Sequence, residues 1–212
     1  MSPKEVIAIC IERLKEIYPE ALCSLQYTDP WQLLVSVRLS AQCTDARVNL
    51  VTPALFAAYP TAEAMAEANL TDVERLIHSC GFYRAKAVDL ITMSGQLLER
   101  HGGKVPATME ELTALRGVGR KSANLILGDV YGLPAVVADT HVIRIANLLG
   151  LVQSKHPEAV EQTLRELLPP AESNDFCHRC VLHGRAVCIA GRPRCTACVL
   201  ADVCAASSGA TE

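Results

Sequence analysis

The stretch LRGVGRKSAN, residues 115–124, joins two segments of helical character, 109–114 before it and 120–131 after it. Gly117 and Gly119 permit backbone conformations closed to other residues and let the main chain approach a ligand closely. A helix that starts directly after them presents unpaired N–H groups and the positive end of its dipole. Arg120 and Lys121 add two formal charges at the same point. The segment therefore reads as a helix-hairpin-helix able to seat a phosphate. Contact of that kind positions a duplex by its backbone and needs no base reading. The plainer alternative is a glycine turn between two helices, with its cations in solvent.

The rest of the chain also reads as helix. Ser2-Pro3-Lys4-Glu5 has the form of a capping box with proline in the first turn, and Asp29-Pro30-Trp31-Gln32 repeats the device. Segments starting at Thr71 and Thr108 supply two more starts. Val73, Leu76, Ile77 and Cys80 follow helical spacing. Pro19, Pro53, Pro60, Pro106, Pro134 and Pro169 fall where helices are predicted to begin or end. No β-branched run alternates with polar residues. The fold class expected is all-α, with about ten helices of ordinary length. Half of the 212 residues are hydrophobic but only 4% are aromatic, so the core is built from Ala, Leu, Val and Ile. The length allows one large or two small domains. Only the tail after Cys204, AASSGATE, reads as disordered.

A formal net charge of -3 gives no global attraction for a polyanion, so any such partner needs a local basic patch. One is present. No acid lies between Asp175 and Asp202, while Arg179, Arg185, Arg192 and Arg194 do. The run VIAICI near the N-terminus is short and bounded by Glu5 and Glu12, which predicts a helix face rather than a leader or a membrane span. A cytoplasmic, nucleoid-associated monomer is expected. That compartment keeps thiols reduced, so the 10 cysteines need a reason other than disulfides.

Cys188, Cys195, Cys198 and Cys204 are separated by six, two and five residues, a spacing that predicts a metal site. Zinc and an iron–sulfur cluster both accept four thiolates. A rival zinc ribbon would pair Cys177-x2-Cys180 with Cys195-x2-Cys198. FCHRCVLHGRAVC, however, reads as a helix, which makes Cys177 and Cys180 core residues. A loop tied at Cys188 and Cys195 would present Arg192 and Arg194 to a phosphate; otherwise it is a solvated basic loop.

Lys121 stands in the first turn of its helix, at the unfavourable end of the dipole. That setting, Arg120 and desolvation by bound DNA all favour the neutral, nucleophilic amine. Eighteen positions later comes Asp139, in VVADTHVIRIANLLG, where it caps the next helix. A carboxylate can accept a proton or stabilise positive charge at a sugar carbon. A cap aspartate also needs no chemistry to explain it.

Taken together, LRGVGRKSAN, VADTH and the C-x6-C-x2-C-x5-C ending resemble the endonuclease III family of DNA glycosylases. The likeness spans nearly the whole chain. It implies a six-helix barrel domain over 22–133, with the hairpin at about 109–131, and an iron–sulfur domain from 1–21 plus 134–212, flanking a DNA-binding cleft. It implies a glycosylase and abasic-site lyase that removes oxidised pyrimidines from duplex DNA. Lys121 would be the nucleophile, forming a Schiff base to the sugar of an everted nucleotide, and β-elimination would cut 3′ to it. Asp139 would assist. Cys188, Cys195, Cys198 and Cys204 would hold a [4Fe–4S] cluster. Gly117-Val118-Gly119 and Arg120 would contact phosphate, with a monovalent cation on the hairpin carbonyls as a further candidate. Arg185, Arg192 and Arg194 would bind DNA. Gln42, in LSAQCTD, would fill the gap left by the flipped base. Phe82, in CGFYRAKA, would wedge into the opposite strand, where the family usually has leucine. Arg116 replaces the usual proline and either strengthens phosphate contact or loosens the turn. Asp45 and His141 fall at pocket or supporting positions.

Two alternatives follow. An adenine-type glycosylase would lack lyase chemistry, and Lys121 argues against it. A non-catalytic hairpin DNA-binding protein would not need both Lys121 and Asp139.

Overall fold

The computed structural model describes residues 1–207, and all regular structure among them is helical. Eleven α-helices follow in order: α1 Pro3–Ile17, α2 Pro30–Ser40, α3 Asp45–Ala58, α4 Ala62–Ala66, α5 Leu70–Ile77, α6 Tyr83–His101, α7 Met109–Thr113, α8 Arg120–Tyr131, α9 Thr140–Leu148, α10 Pro157–Leu167 and α11 Ser173–Ala186. The chain divides into two compact units. One is Cys23–Tyr131; the other joins Met1–Leu22 to Gly132–Glu212.

Helix starts match the caps in the sequence. Ser2 and Glu5 close a full capping box on α1. Asp29 accepts the amide of Gln32, and Thr108 that of Glu111. The start of α5 differs from expectation. Its cap is Asn69, whose Oδ1 accepts from Thr71 N at 2.9 Å and Asp72 N at 3.3 Å. Asparagine caps better than threonine, and its carboxamide here serves two amides. Pro53 also departs from expectation, since it lies inside α3. A proline there costs about 3 kcal/mol in an isolated helix. Burial of Val48, Val51, Thr52 and Leu55 along one side of α3 offsets it. Cys80 is not in α5 but in a single 3₁₀ turn, His78–Cys80, ended by Gly81.

In the unit from Cys23 to Tyr131, α2 is the central element. Trp31, Leu33, Leu34, Val35, Ser36, Val37 and Leu39 are all buried, so the helix is covered on every side. It packs on α3, α6 and α8, while α4 and α5 lie on α6 and α7 on α8. In the other unit α11 packs on α9 and α1, and α10 on α1 and α9. Arg179 belongs to the basic run of the sequence but not to a basic surface, for only 4% of it is exposed. Its Nε donates to the Tyr18 carbonyl at 3.1 Å and its Nη2 to Asp175 at 3.2 Å, so it is a structural cation. Residues 205–207, within the tail that reads as disordered, form a turn in which Ala206 N donates to the Leu148 carbonyl at 3.0 Å. The rest of that tail, 208–212, lies outside the described residues.

The contact of α9 with α11 depends on Gly184. A Cβ there would stand 2.5 Å from His141 Nδ1 and 2.9 Å from Arg144 Nη2. Gly184→Ala is therefore expected to cost about 2 kcal/mol, the penalty of overpacking a close interface. Urea unfolding at equilibrium measures it; an unchanged midpoint would show that α9 and α11 do not meet this closely.

Candidate functional site

The hairpin is shaped by what lies beneath it. Leu115 and Val118 are buried, and Val118 N donates to the Leu115 carbonyl at 3.2 Å. Only the main chain of Val118 is therefore available to a ligand. Gly117 has φ +78°, a region costly for any residue with a Cβ. A Cβ there would also meet Arg38 Nε at 2.7 Å and Asp89 Oδ2 at 3.1 Å. Gly119 differs. Its carbonyl accepts the Ala123 amide at 2.9 Å, which begins α8, yet a Cβ on it would meet nothing within 4 Å. Neither backbone nor packing demands glycine at 119. Arg120 and Lys121 follow it directly, and both are exposed.

Asp89 supports the turn. Its carboxylate, on α6, is 6% exposed as a residue. Oδ2 accepts from Arg38 Nε at 2.8 Å and from Arg38 Nη2; Oδ1 accepts from Arg116 Nε at 2.7 Å. Burial pushes the Asp89 carboxyl up, but hydrogen bonds from Arg116 and Arg38 outweigh it and hold the group below its ordinary range. The Arg116 amide donates to Gln96 Oε1 at 2.7 Å. Arg116 thus does not loosen the turn. It fastens the hairpin to α6.

Two loops of the same unit carry Gln42 and Phe82. They are the two non-glycine residues with positive φ among the described residues, at 53° and 49°. Each such conformation costs roughly 1–2 kcal/mol and persists only when its surroundings impose it. Gln42 is exposed, and Phe82 is 68% exposed despite being a large apolar ring. Behind them lies Lys86, which sequence reasoning missed. It is 1% exposed, and its ammonium donates to the Leu39 carbonyl at 2.7 Å and to the Cys80 carbonyl. Burial pushes its amine down, while the neighbouring Cys43 and Cys80 thiols oppose that. A signal existed: Lys86 falls on the helical stripe of Leu90, Met93 and Leu97. Asp45 begins α3 and accepts the Ser24 hydroxyl at 2.7 Å.

In the other unit Asp139 caps α9. Its Oδ1 accepts from the amides of His141 at 2.9 Å and Val142 at 2.8 Å. His141 Nδ1 lies 3.2 Å from Arg144 Nη2. Cys188, Cys195, Cys198 and Cys204 line a single cavity of about 220 Å³, together with Leu148, Val187, Ala201 and Arg194. Its wall is tied down on several sides. Arg144 donates to the Cys188 carbonyl at 2.6 Å, and Arg13 to the Val199 carbonyl at 2.7 Å and to Asp202. His183 Nε2 is 3.3 Å from Cys198 Sγ. Burial pushes the thiols of Cys188 and Cys198 up and the His183 imidazole down. A metal bound there would release the thiol protons. Cys177 and Cys180 are buried in α11, 2% and 1% exposed, and are not among the cavity residues. Arg185, Arg192 and Arg194 are exposed, and the loop carrying the last two is closed by Arg194 N donating to the Val187 carbonyl at 3.0 Å.

Residues 35–170 match the family of HhH-GPD superfamily base excision DNA repair proteins. Endonuclease III of Synechocystis sp. is 47% identical over 192 residues, 90% of this chain and 88% of that protein. Endonuclease III of Escherichia coli K12 is 39% identical over 194 residues, 92% of each. The chain belongs to the endonuclease III family. In three dimensions it is similar to a trapped endonuclease III–DNA covalent intermediate, the estranged-adenine complex. The TM-score is 0.93 at 37% identity, with both chains fully covered. The all-α architecture is that of the family. Among the described residues no helix is long and apolar enough to cross a membrane.

The two hairpin glycines should separate in a stability assay. Gly117→Ala is expected to cost about 2–3 kcal/mol, combining positive φ with a clash against the Arg38–Asp89 pair. Gly119→Ala should leave the thermal midpoint unchanged. Equal losses at both positions would refute this account of the turn.

Proposed function

We propose that the protein is a bifunctional DNA glycosylase and abasic-site lyase of base excision repair, with Lys121 as its nucleophile and oxidised pyrimidines as its substrates. One observation carries this reading. An exposed lysine opens α8 directly behind a glycine corner, in a chain matching a trapped covalent endonuclease III–DNA intermediate over its full length. The neutral amine of Lys121 attacks C1′ of an everted nucleotide. The N-glycosidic bond breaks, its electron pair leaves with the base, and the base takes a proton. The sugar opens to a protonated Schiff base on Lys121. Loss of a C2′ proton then expels the 3′ phosphate by β-elimination. Asp139 accepts a proton or stabilises positive charge on the sugar; as the cap of α9 its carboxylate is held by two amides. Asp45 and His141 support that machinery.

DNA is gripped by its phosphates. Amides at the start of α8, with Arg120, would receive one phosphate at the hairpin, and a monovalent cation would sit on the Gly117-Val118-Gly119 carbonyls. Gly119 makes sense here: glycine is needed by neither turn nor packing, but it lets a phosphate come close to the main chain. Arg185, Arg192 and Arg194 add a second basic surface. Gln42 and Phe82 project from strained loops and would enter the duplex at the lesion. A bacterial-type cytoplasmic location and a monomeric state complete the reading.

Cys188, Cys195, Cys198 and Cys204 would hold a [4Fe–4S] cluster. A single zinc ion draws four sulfurs to about 2.3 Å from one point. The four cysteines instead ring a cavity of about 220 Å³, room for a group of several atoms. The cluster would supply a covalent tie across the loop that presents Arg192 and Arg194.

Two outcomes are expected. Borohydride should trap wild-type protein on duplex DNA holding an oxidised pyrimidine or an abasic site, and Lys121→Ala should give no adduct; equal trapping by the variant would remove Lys121 from the chemistry. The purified protein should be brown and contain about four irons per chain, as four thiolates on one cluster require. Stoichiometric zinc with no visible absorption would overturn the cluster assignment.

A further inference from the structure

We infer that Lys86 is a positioning residue for base eversion: from beneath, it fixes the two loops that carry Gln42 and Phe82. The inference rests on the reading of those two residues as the groups that enter the duplex.

Lys86 grips Phe82 from both sides. Its backbone amide donates to the Phe82 carbonyl at 3.0 Å, which begins α6. Its ammonium donates to the Cys80 carbonyl, two residues before Phe82. The same ammonium donates at 2.7 Å to the Leu39 carbonyl, in the last turn of α2 and three residues before Gln42. One buried cation thus joins the chain just ahead of both left-handed residues. The loops also lie close together, since a Cβ on Gly81 would come 3.9 Å from the Gln42 carbonyl.

A buried ammonium is costly unless its donors are used. Here they are spent on two carbonyls from separate segments rather than on a carboxylate. An apolar side chain of the same length would fill the space but leave the loops unlinked. The two strained residues would then relax toward ordinary conformations, and their side chains would lose their aim. Lys86 touches no reacting atom in this scheme. It acts only through Gln42 and Phe82.

A positioning role and a merely structural one differ in what they spare. The probes are a duplex with one thymine glycol beside 2-aminopurine, and a single-stranded abasic oligonucleotide, which has no base to evert and no opposite strand to wedge. Lys86→Met is expected to lower single-turnover excision from the duplex by about 100-fold, the scale of a misplacement of about 1 Å. The 2-aminopurine fluorescence rise that reports eversion should be lost. Borohydride trapping on the single-stranded abasic probe should be unchanged. Phe82→Ala should reduce excision in the wild-type background but add nothing to Lys86→Met, because both remove the same step. Equal loss on both probes, or additive effects of Lys86→Met and Phe82→Ala, would overturn the proposal. If Lys86→Met does not fold, Lys86→Arg, which keeps donors but not their placement, serves with the same readouts: selective loss on the duplex supports the role and equal loss refutes it. Should Gln42→Ala and Phe82→Ala both leave excision intact, the reading beneath the inference fails, with a signature separate from either result for Lys86.

Discussion

A single buried carboxylate holds the glycine corner of the hairpin in place. Asp89 faces Arg38 on one side and Arg116 on the other, and Gly117 lies directly against the Arg38–Asp89 pair. Two cations around one anion leave a surplus positive charge under the turn. Removing the anion would leave the mostly buried Arg38 without its counter-ion, the situation in which a paired charge becomes expensive. Arg116 is different in kind. Its side chain is 60% exposed, so its own pairing contributes little to stability, and its value lies in direction: it fastens the hairpin backbone to α6. The helix dipole of α8, Arg120 and Lys121 can present a fixed charge pattern only because the corner preceding them is itself fixed.

The unit from Cys23 to Tyr131 uses the same device twice. At the hairpin, a buried anion on α6 braces a turn that carries cations. Three residues earlier on the same helix, a buried cation braces two turns by their carbonyls. Lys86 and Asp89 share a helix whose apolar residues already face inward, so each is carried into the core by its neighbours and must find partners there. For Lys86 those partners are main-chain carbonyls at the edges of two loops; for Asp89 they are arginines that brace a turn. The two buried charges of this unit thus lie beneath the hairpin and beneath the loops of Gln42 and Phe82, where they fix loop geometry.

Much of this is legible in the sequence, for identifiable reasons. Capping motifs are local, so Ser2, Asp29 and Thr108 can be read from three or four residues each. The glycine corner is equally plain, because two glycines set before two cations form a local signal that needs no distant partner. Cysteine spacing marks the four residues that line one cavity, and the helical pattern of FCHRCVLHGRAVC sets aside Cys177 and Cys180, which α11 carries into its buried face. What escapes is non-local. Asp89 and Arg116 are 27 positions apart, and Lys86 reaches a carbonyl 47 positions away. No pattern within a helix announces such a pair. Arg179 misleads for the same reason: a run without acids looks like a surface patch, while the partner that decides its burial, the Tyr18 carbonyl, lies at the other end of the chain.

Gly117 and Gly119 carry the same meaning in the sequence, that a ligand could come near, and part company in three dimensions. Gly117 is fully accounted for by a positive φ and by Arg38 behind it, so it says nothing further about DNA. Gly119 has an ordinary φ and open space where a side chain would go. A residue that neither folding nor packing requires is the one whose smallness has to come from something outside the chain. Under the proposed function, a phosphate brought against the first turn of α8 would supply that reason, next to the main chain from which Lys121 extends.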